Sequence, residues 1–399
     1  MRIAYITSRF ANPLEKGDKL RAYQQIKQLK AMGHQVHLYA VSDNPVKSHH
    51  LDAINAICAS VFIYRLSRLD IFRNILKSLL LGESVQSSYF YVSGFHRLLK
   101  RQMSELKPDV MFFQLIRTAR YAEGMDGFPK MLDYQDAFSK GMQQRSSSGG
   151  LYNRLIFGRE YRLLSLFEKA CMGKFNALSI ITEADRLAID PENKFGITIV
   201  PNSVELEYFD APSGSRPHDI LFVGNMGYPP NVEAACFLVN EIMPFVWQTL
   251  PDTKVLLAGA NPTAAVKSLS SNRVFVTGWV DDIRTCYQSS KLFVAPMLTG
   301  TGLQNKLLEG LAMGLPCFTT PLCASTLATG YDEVVTVCMN ADQFASKIVE
   351  HLGSPVNYEQ FRTQSRAYVS KNYDSNHVGK QLIAILEKAM ANQAQKRKP

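Results

Sequence analysis

An α/β fold of two Rossmann-like domains, each with a parallel sheet, is predicted by three observations. Short apolar runs alternate with longer segments of helical period. The chain changes texture after Pro201-Asn202, and the alternation restarts at Ile220. Its 399 residues are enough for two cores of roughly 150–200 residues each.

In the first half, Arg2–Thr7 reads as a strand and Lys19–Met32 as a helix, with Leu20, Tyr23, Ile26 and Leu29 along one side and Gly33 as its stop. Gln35–Val41, Val61–Tyr64, Asp109–Phe113, Lys130–Asp133, Ala177–Ile181 and Ile197–Val200 read as further strands, and Leu151–Lys174 as a long helix. Residues 210–218 combine Pro, Gly, Ser and Asp in the manner of a linker. Beyond it, Ile220–Val223, Lys254–Ala258, Arg273–Thr277, Lys291–Ala295, Pro316–Thr319 and Val334–Val337 read as strands. Helices are expected over 231–248, Leu303–Met313 and 341–394. The expected domains are 1–205, a linker 206–217, a second domain 218–372, and a closing helix with a basic tail, 373–399.

Composition narrows the possibilities. At 46% hydrophobic and 20% charged, with no biased tract, the chain reads as a folded globular protein. No apolar run reaches the roughly 18–20 residues of a spanning helix. The N-terminus lacks the apolar core of a secretory signal, so a cytoplasmic location is expected. Seven cysteines without a CxxC pair fit reduced, buried thiols, not a disulfide framework or a zinc site.

The net charge of +9 is uneven: residues 1–205 hold 28 Lys/Arg against 19 Asp/Glu, and residues 206–399 hold 16 of each. Within 65–101, Arg65, Arg68, Arg73, Lys77, Arg97, Lys100 and Arg101 face only Asp70 and Glu83, and alternate with leucines, isoleucines and Phe72 at helical spacing. Such a stretch attracts an anionic membrane surface or a phosphorylated substrate, or else packs its apolar stripe on its own domain. With no RNP, zinc-finger or KH motif, nucleic acid is not an expected partner.

Ligands of open α/β sheets sit beyond the carboxyl ends of the strands, and three loops there stand out. In the first, Gly17 precedes a helix whose free amides favour an anion, or it is a plain structural turn. The dinucleotide fingerprint GxGxxG is absent, which argues against a dehydrogenase. In the second, residues 296–316, Gly300, Thr301, Gly302 and Leu303 form a turn whose amides can face a phosphate. Lys306 follows in the first helical turn, where a cation opposes the helix dipole; a bound diphosphate accounts for it. Glu309 shares its face, so a simple i,i+3 ion pair is the alternative. In the third, Asp136 follows the strand ending at Asp133 and can orient or deprotonate an acceptor hydroxyl, or cap the following turn. Gln114 ends the neighbouring strand. No Asp-x-Asp metal triplet occurs.

The run Lys306-Leu307-Leu308-Glu309-Gly310-Leu311-Ala312-Met313-Gly314-Leu315-Pro316 resembles the donor-site signature of glycosyltransferase family 4, of the GT-B fold. Val200-Pro201-Asn202-Ser203-Val204, Ile220-Leu221-Phe222-Val223-Gly224, Val276-Thr277-Gly278-Trp279 and the Gly17 loop match further landmarks in order. The segment from Gly224-Asn225 to Asn231, with Gln304-Asn305-Lys306, is similar to the branch serving bacterial exopolysaccharide and envelope polysaccharide.

The resemblance implies two domains facing across a cleft, with the closing helix packed back on the first. It also implies retaining, metal-independent transfer of a sugar from a nucleotide-diphosphate sugar held by the second domain to a hydroxyl of a carbohydrate acceptor held mainly by the first; the basic cluster over 65–101, not the resemblance, adds the expectation of a lipid-linked acceptor. By the same resemblance Glu309 grips ribose hydroxyls, and Gly17, Asn225, Gly278 and the Gly300–Leu303 turn line the donor site, with Asp136 and Gln114 beside the reacting sugar. Nothing beyond the nucleotide sugar is expected as cofactor, and contact with the inner face of the cell membrane is expected through residues 65–101.

The sequence departs from the pattern at three positions. Thr301 stands where the family's first motif glutamate would be, and Asn225 and Asn231 stand where a cationic pair would neutralise the diphosphate. Lys306, the turn amides, Lys19 and Arg21 are the available substitutes. These departures keep two alternatives open: a non-catalytic nucleotide-sugar-binding subunit of a polysaccharide assembly, and a nucleotide-sugar 2-epimerase.

Overall fold

The computed structural model describes all residues except 15, 148–149, 211–214, 301, 355–356 and 397–399. Its chain divides into two compact units, residues 1–201 with 378–399, and residues 202–377.

The first unit holds a seven-stranded, wholly parallel sheet. Its strands are β1 (Arg2–Thr7), β2 (Gln35–Ser42), β3 (Ser60–Arg65), β4 (Val110–Gln114), β5 (Lys130–Asp133), β6 (Ala177–Ile180) and β7 (Thr198–Ile199). They lie in the order β3-β2-β1-β4-β5-β6-β7. The central strands are apolar on both sides because helices cover both faces. Along β1, Ile3 and Tyr5 enter one buried cluster, and Ala4 and Ile6 the other, as the two-residue period of a strand requires.

The cluster around Ile3 and Tyr5 is completed by the closing helix Ser375–Lys396. Its Val378, Leu382, Ile385, Leu386 and Ala389 recur at helical spacing and pack with Ala22, Ile26 and Leu29. A Cβ on Gly379 would come within 2.8 Å of the Met32 methyl, so glycine lets these helices approach closely. The closing helix therefore packs on the first unit. The helical region expected over 341–394 is three helices, Ala341–Gly353, Tyr358–Tyr373 and Ser375–Lys396.

The second unit repeats the plan with six parallel strands. These are β8 (His218–Val223), β9 (Val255–Ala258), β10 (Val274–Val276), β11 (Ser290–Ala295), β12 (Cys317–Thr319) and β13 (Val335–Val337), in the order β10-β9-β8-β11-β12-β13. Residues 202–210 pack on this unit: Val204 bridges to Asp374, and Arg366 donates to the carbonyls of Leu206 and Phe209. In the helical run from Pro229 to Thr249, Leu238–Ile242 adopts π geometry.

Candidate functional site

In the second unit, the loops after β8, β9, β10 and β11 gather at the carboxyl ends of the strands. A Cβ on Gly259, whose φ is +138°, would overlap the Gly224 carbonyl oxygen, and one on Gly224 would lie 2.7 Å from Asn231 Nδ2. Glycine at 259 lets the loops after β8 and β9 touch, and glycine at 224 makes room for the Asn231 side chain. The Gly259 amide donates to the Gly278 carbonyl (3.1 Å), which ties in the loop after β10. After β11, Gly300 (φ +122°) and Gly302 (φ +75°) turn the chain into the helix Asn305–Ala312. Thr301 lies outside the described residues. Leu303 buries its side chain, so only its backbone can meet a ligand.

Lys306 occupies the second position of that helix and is half-buried. Its Nζ donates to Asn231 Oδ1 (2.5 Å), lies 3.5 Å from Met297 Sδ and sits 4.8 Å from the centroid of the Phe222 ring. Burial lowers its pKa to about 8, against a smaller opposing pull from Cys323 and Glu309. Glu309, one turn on, is held by the Tyr287 hydroxyl, which lies 2.9 Å from its Oε2 and 3.0 Å from the Lys306 carbonyl oxygen. Burial raises the Glu309 pKa, while Tyr287 and Lys306 pull it back down. The plain i,i+3 ion pair is thus replaced by two separate anchors, Asn231 for the lysine and Tyr287 for the glutamate. Asn225 turns its own Oδ1 onto the Gly227 amide (3.0 Å), and its carbonyl accepts from Asn231 Nδ2 (2.9 Å).

The first unit brings Gly17, Gln114 and Asp136 to the carboxyl ends of β1, β4 and β5. Gly17 opens the helix Gly17–Ala31, with open space where a Cβ would stand. Gln114 is buried and donates through Nε2 to the Asp18 carbonyl (2.8 Å), so it fixes the start of that helix. Asp136 is half-buried. Burial, with Asp185 next in weight, raises its pKa to about 7, opposed by Arg21. The turn that Asp136 could have capped is served by Glu168, whose Oε1 accepts from the Ser139 amide (3.1 Å).

Arg21 does not fit the role of a diphosphate cation. Its Nε and Nη2 reach the two Asp133 oxygens (2.8 and 3.2 Å), and its remaining donors meet the carbonyls of Val200 (2.9 Å) and Pro201 (3.1 Å). Asp133 also accepts from Gln25 Nε2 (3.1 Å) and Ser179 Oγ (2.9 Å). This is a structural ion pair, closed on both sides.

Sequence reasoning missed two features of this edge. Leu115, just after β4, and Gln135, two residues after β5, have φ of +68° and +64°, a strain of roughly 1–3 kcal/mol each for non-glycine residues. Arg9 and Arg117 both stand over the buried Phe90 ring, at 5.4 and 5.2 Å, and Arg9 pairs with Asp18 (2.8 Å). Burial, reinforced by Arg9, lowers the Arg117 pKa to about 10. Only the position of these residues in the loops within three residues of a strand's end could have flagged them.

Comparison with solved structures identifies the architecture. Sucrose-phosphate synthase from Thermosynechococcus elongatus superposes with a TM-score of 0.71 over 98% of this chain and 99% of its own, at 14% identity. The fold is GT-B. Anabaena HepE shares it in crystals with UDP (TM-score 0.66, 12% identity, 97% of this chain and 100% of that chain) and with UDP and glucose (TM-score 0.66, 13% identity, 97% and 99%). Within this GT-B chain, residues 217–354 match the family model described as Glycosyl transferases group 1. That span contains Lys306, Glu309, Asn231 and Tyr287. A Klebsiella pneumoniae protein described as an uncharacterized 44.6 kDa protein in the cps region is 20% identical, over 94% of this chain and 97% of its own.

Proposed function

We propose that the protein is a retaining, metal-independent glycosyltransferase. It moves a sugar from a nucleotide-diphosphate sugar to a hydroxyl of a carbohydrate or lipid-linked acceptor in bacterial polysaccharide or glycolipid synthesis. The observation that carries this reading is the separation of Lys306 and Glu309 onto different anchors inside the segment that matches Glycosyl transferases group 1. A lysine and a carboxylate held apart on one helical face present a cation for a diphosphate and an acceptor for two vicinal hydroxyls. The UDP complexes of Anabaena HepE and the cps region named for the Klebsiella relative support the donor class and the pathway class.

In this mechanism the diphosphate rests against the turn Gly300–Leu303 and the start of the helix Asn305–Ala312, where free amides favour an anion. Lys306 meets the charge that develops as the bond to the anomeric carbon breaks, the role a metal ion serves elsewhere. Asp136, titrating near neutrality, takes the proton of the attacking hydroxyl. The acceptor attacks the face that the nucleotide leaves, so configuration is retained.

The test is incubation of the purified chain with UDP-, GDP- and ADP-sugars, with and without a hydroxyl acceptor, following nucleoside diphosphate release and the configuration of the sugar. Acceptor-dependent release with retention supports the proposal. Conversion of the donor sugar alone indicates an epimerase. Binding without turnover indicates the non-catalytic subunit that Thr301, Asn225 and Asn231 bring to mind.

A further inference from the structure

The helix Arg68–Leu80 packs one side on its own unit and leaves an apolar side uncovered. A capping box between Ser67 and Asp70 fixes its start. On the inner side Asn74 Nδ2 donates to the carbonyls of Tyr89 (3.1 Å) and Tyr91 (2.7 Å), Ser78 is buried, and Ile71 packs against the first unit's core. At about 100° per residue, Leu69, Phe72, Leu76, Leu79 and Leu80 fall together on another side, within an arc of roughly 100°. All five are exposed, Phe72 at 64% and Leu80 at 76%, and Leu81, at the helix's end, is exposed as well.

Cations border that patch. Arg68, Arg73 and Lys77 are exposed on the same helix, with Arg65 just before it, and the helix's one acidic residue, Asp70, is engaged with Ser67. A second exposed apolar stretch, Leu151, Tyr152 and Leu155 with Arg154 among them, opens the helix Leu151–Met172. Glu160 of that helix accepts from Ser84 Oγ (2.5 Å), the Gln86 amide (2.9 Å) and the Val85 amide (3.1 Å). It thereby fastens the chain immediately beyond Leu80 to the second stretch.

We infer that Arg68–Leu80 is an interfacial helix that docks the first unit on an anionic lipid bilayer. Phe72, Leu76, Leu79 and Leu80 enter the boundary between headgroups and acyl chains, while Arg68, Arg73 and Lys77 pair with lipid phosphates. Charge decides against a second copy of this chain as the occupant. In a two-fold pair the same patch meets itself, and the bordering cations would repel, whereas an anionic surface neutralises them. The packed inner side keeps the helix formed before docking, so binding carries no folding cost.

The full-length chain is tested by co-sedimentation with phosphatidylcholine vesicles with and without 30 mol% phosphatidylglycerol, at low and high salt. Wild type should sediment with the anionic vesicles only, and less at high salt. The triple variant Phe72→Ser/Leu76→Ser/Leu80→Ser and the double variant Arg73→Gln/Lys77→Gln should each bind more weakly, the latter by on the order of tenfold or more. Both should keep the wild-type circular dichroism and nucleotide affinity, because the altered side chains face solvent. Wild-type sedimentation of either folded variant, or equal binding to neutral vesicles, overturns the inference. So does a vesicle-free dimer, seen by analytical ultracentrifugation, that the triple variant dissolves.

Discussion

The Tyr287 hydroxyl lies 2.9 Å from Glu309 Oε2 and holds the carboxylate in place although the two residues are 22 positions apart in the chain. Burial pushes the Glu309 pKa up, and this hydroxyl is the first of the influences that bring it down. One oxygen of the carboxylate is thus oriented, which leaves the other to accept hydrogen bonds from hydroxyls.

Two substitutions separate orientation from charge. Glu309→Ala should weaken nucleotide binding by about 1–3 kcal/mol, the loss of a charged hydrogen-bonding partner. Tyr287→Phe should cost about 1 kcal/mol of affinity and move the acid-side loss of binding to higher pH, because the carboxyl then protonates more readily. Calorimetric titration of nucleotide across pH 4–8 reads both effects.

Asp136 and Lys306 should bound the pH profile of turnover. A base with a pKa of about 7 works only when deprotonated, so the rate rises as pH increases through that value. A lysine with a pKa of about 8 stabilises the leaving diphosphate only when protonated, so the rate falls as pH passes that value. Asp136→Asn should abolish the rising limb and lower kcat by about 10²–10⁴-fold. Steady-state assays with wild type and variant check the limb.

Arg21 should matter for stability and little for nucleotide affinity. Arg21→Leu leaves the buried Asp133 without its cation, and breaking such a pair costs about 3–5 kcal/mol. A lowered unfolding midpoint of the first unit, with nucleotide affinity retained by the folded fraction, is the expected result. Differential scanning calorimetry with and without nucleotide measures it.

All thirteen strands among the described residues could be read from the sequence because each is a short run rich in apolar and β-branched residues between turn residues; central ones such as β4 and β5, covered on both faces and buried throughout, show that pattern most clearly. Lys306 was legible for a different reason: a cation in the first turn of a helix opposes the dipole. Its partner Asn231 lies 75 positions away, and no local pattern announces it. Arg21 misled for the same reason, since its partner Asp133 is 112 positions distant. Leu115 and Gln135 escaped because positive φ is read from glycine, and neither position carries one.

Whether Lys306 and Glu309 hold a nucleoside diphosphate is decided by calorimetric titration of the folded Lys306→Gln/Glu309→Gln variant. The titrant is whichever of UDP, GDP and ADP raises the wild-type melting point. Wild type should bind that diphosphate more tightly than the matching monophosphate, and the double variant should lose at least about tenfold in affinity together with most of that preference. Undiminished diphosphate binding by the folded double variant would contradict that role.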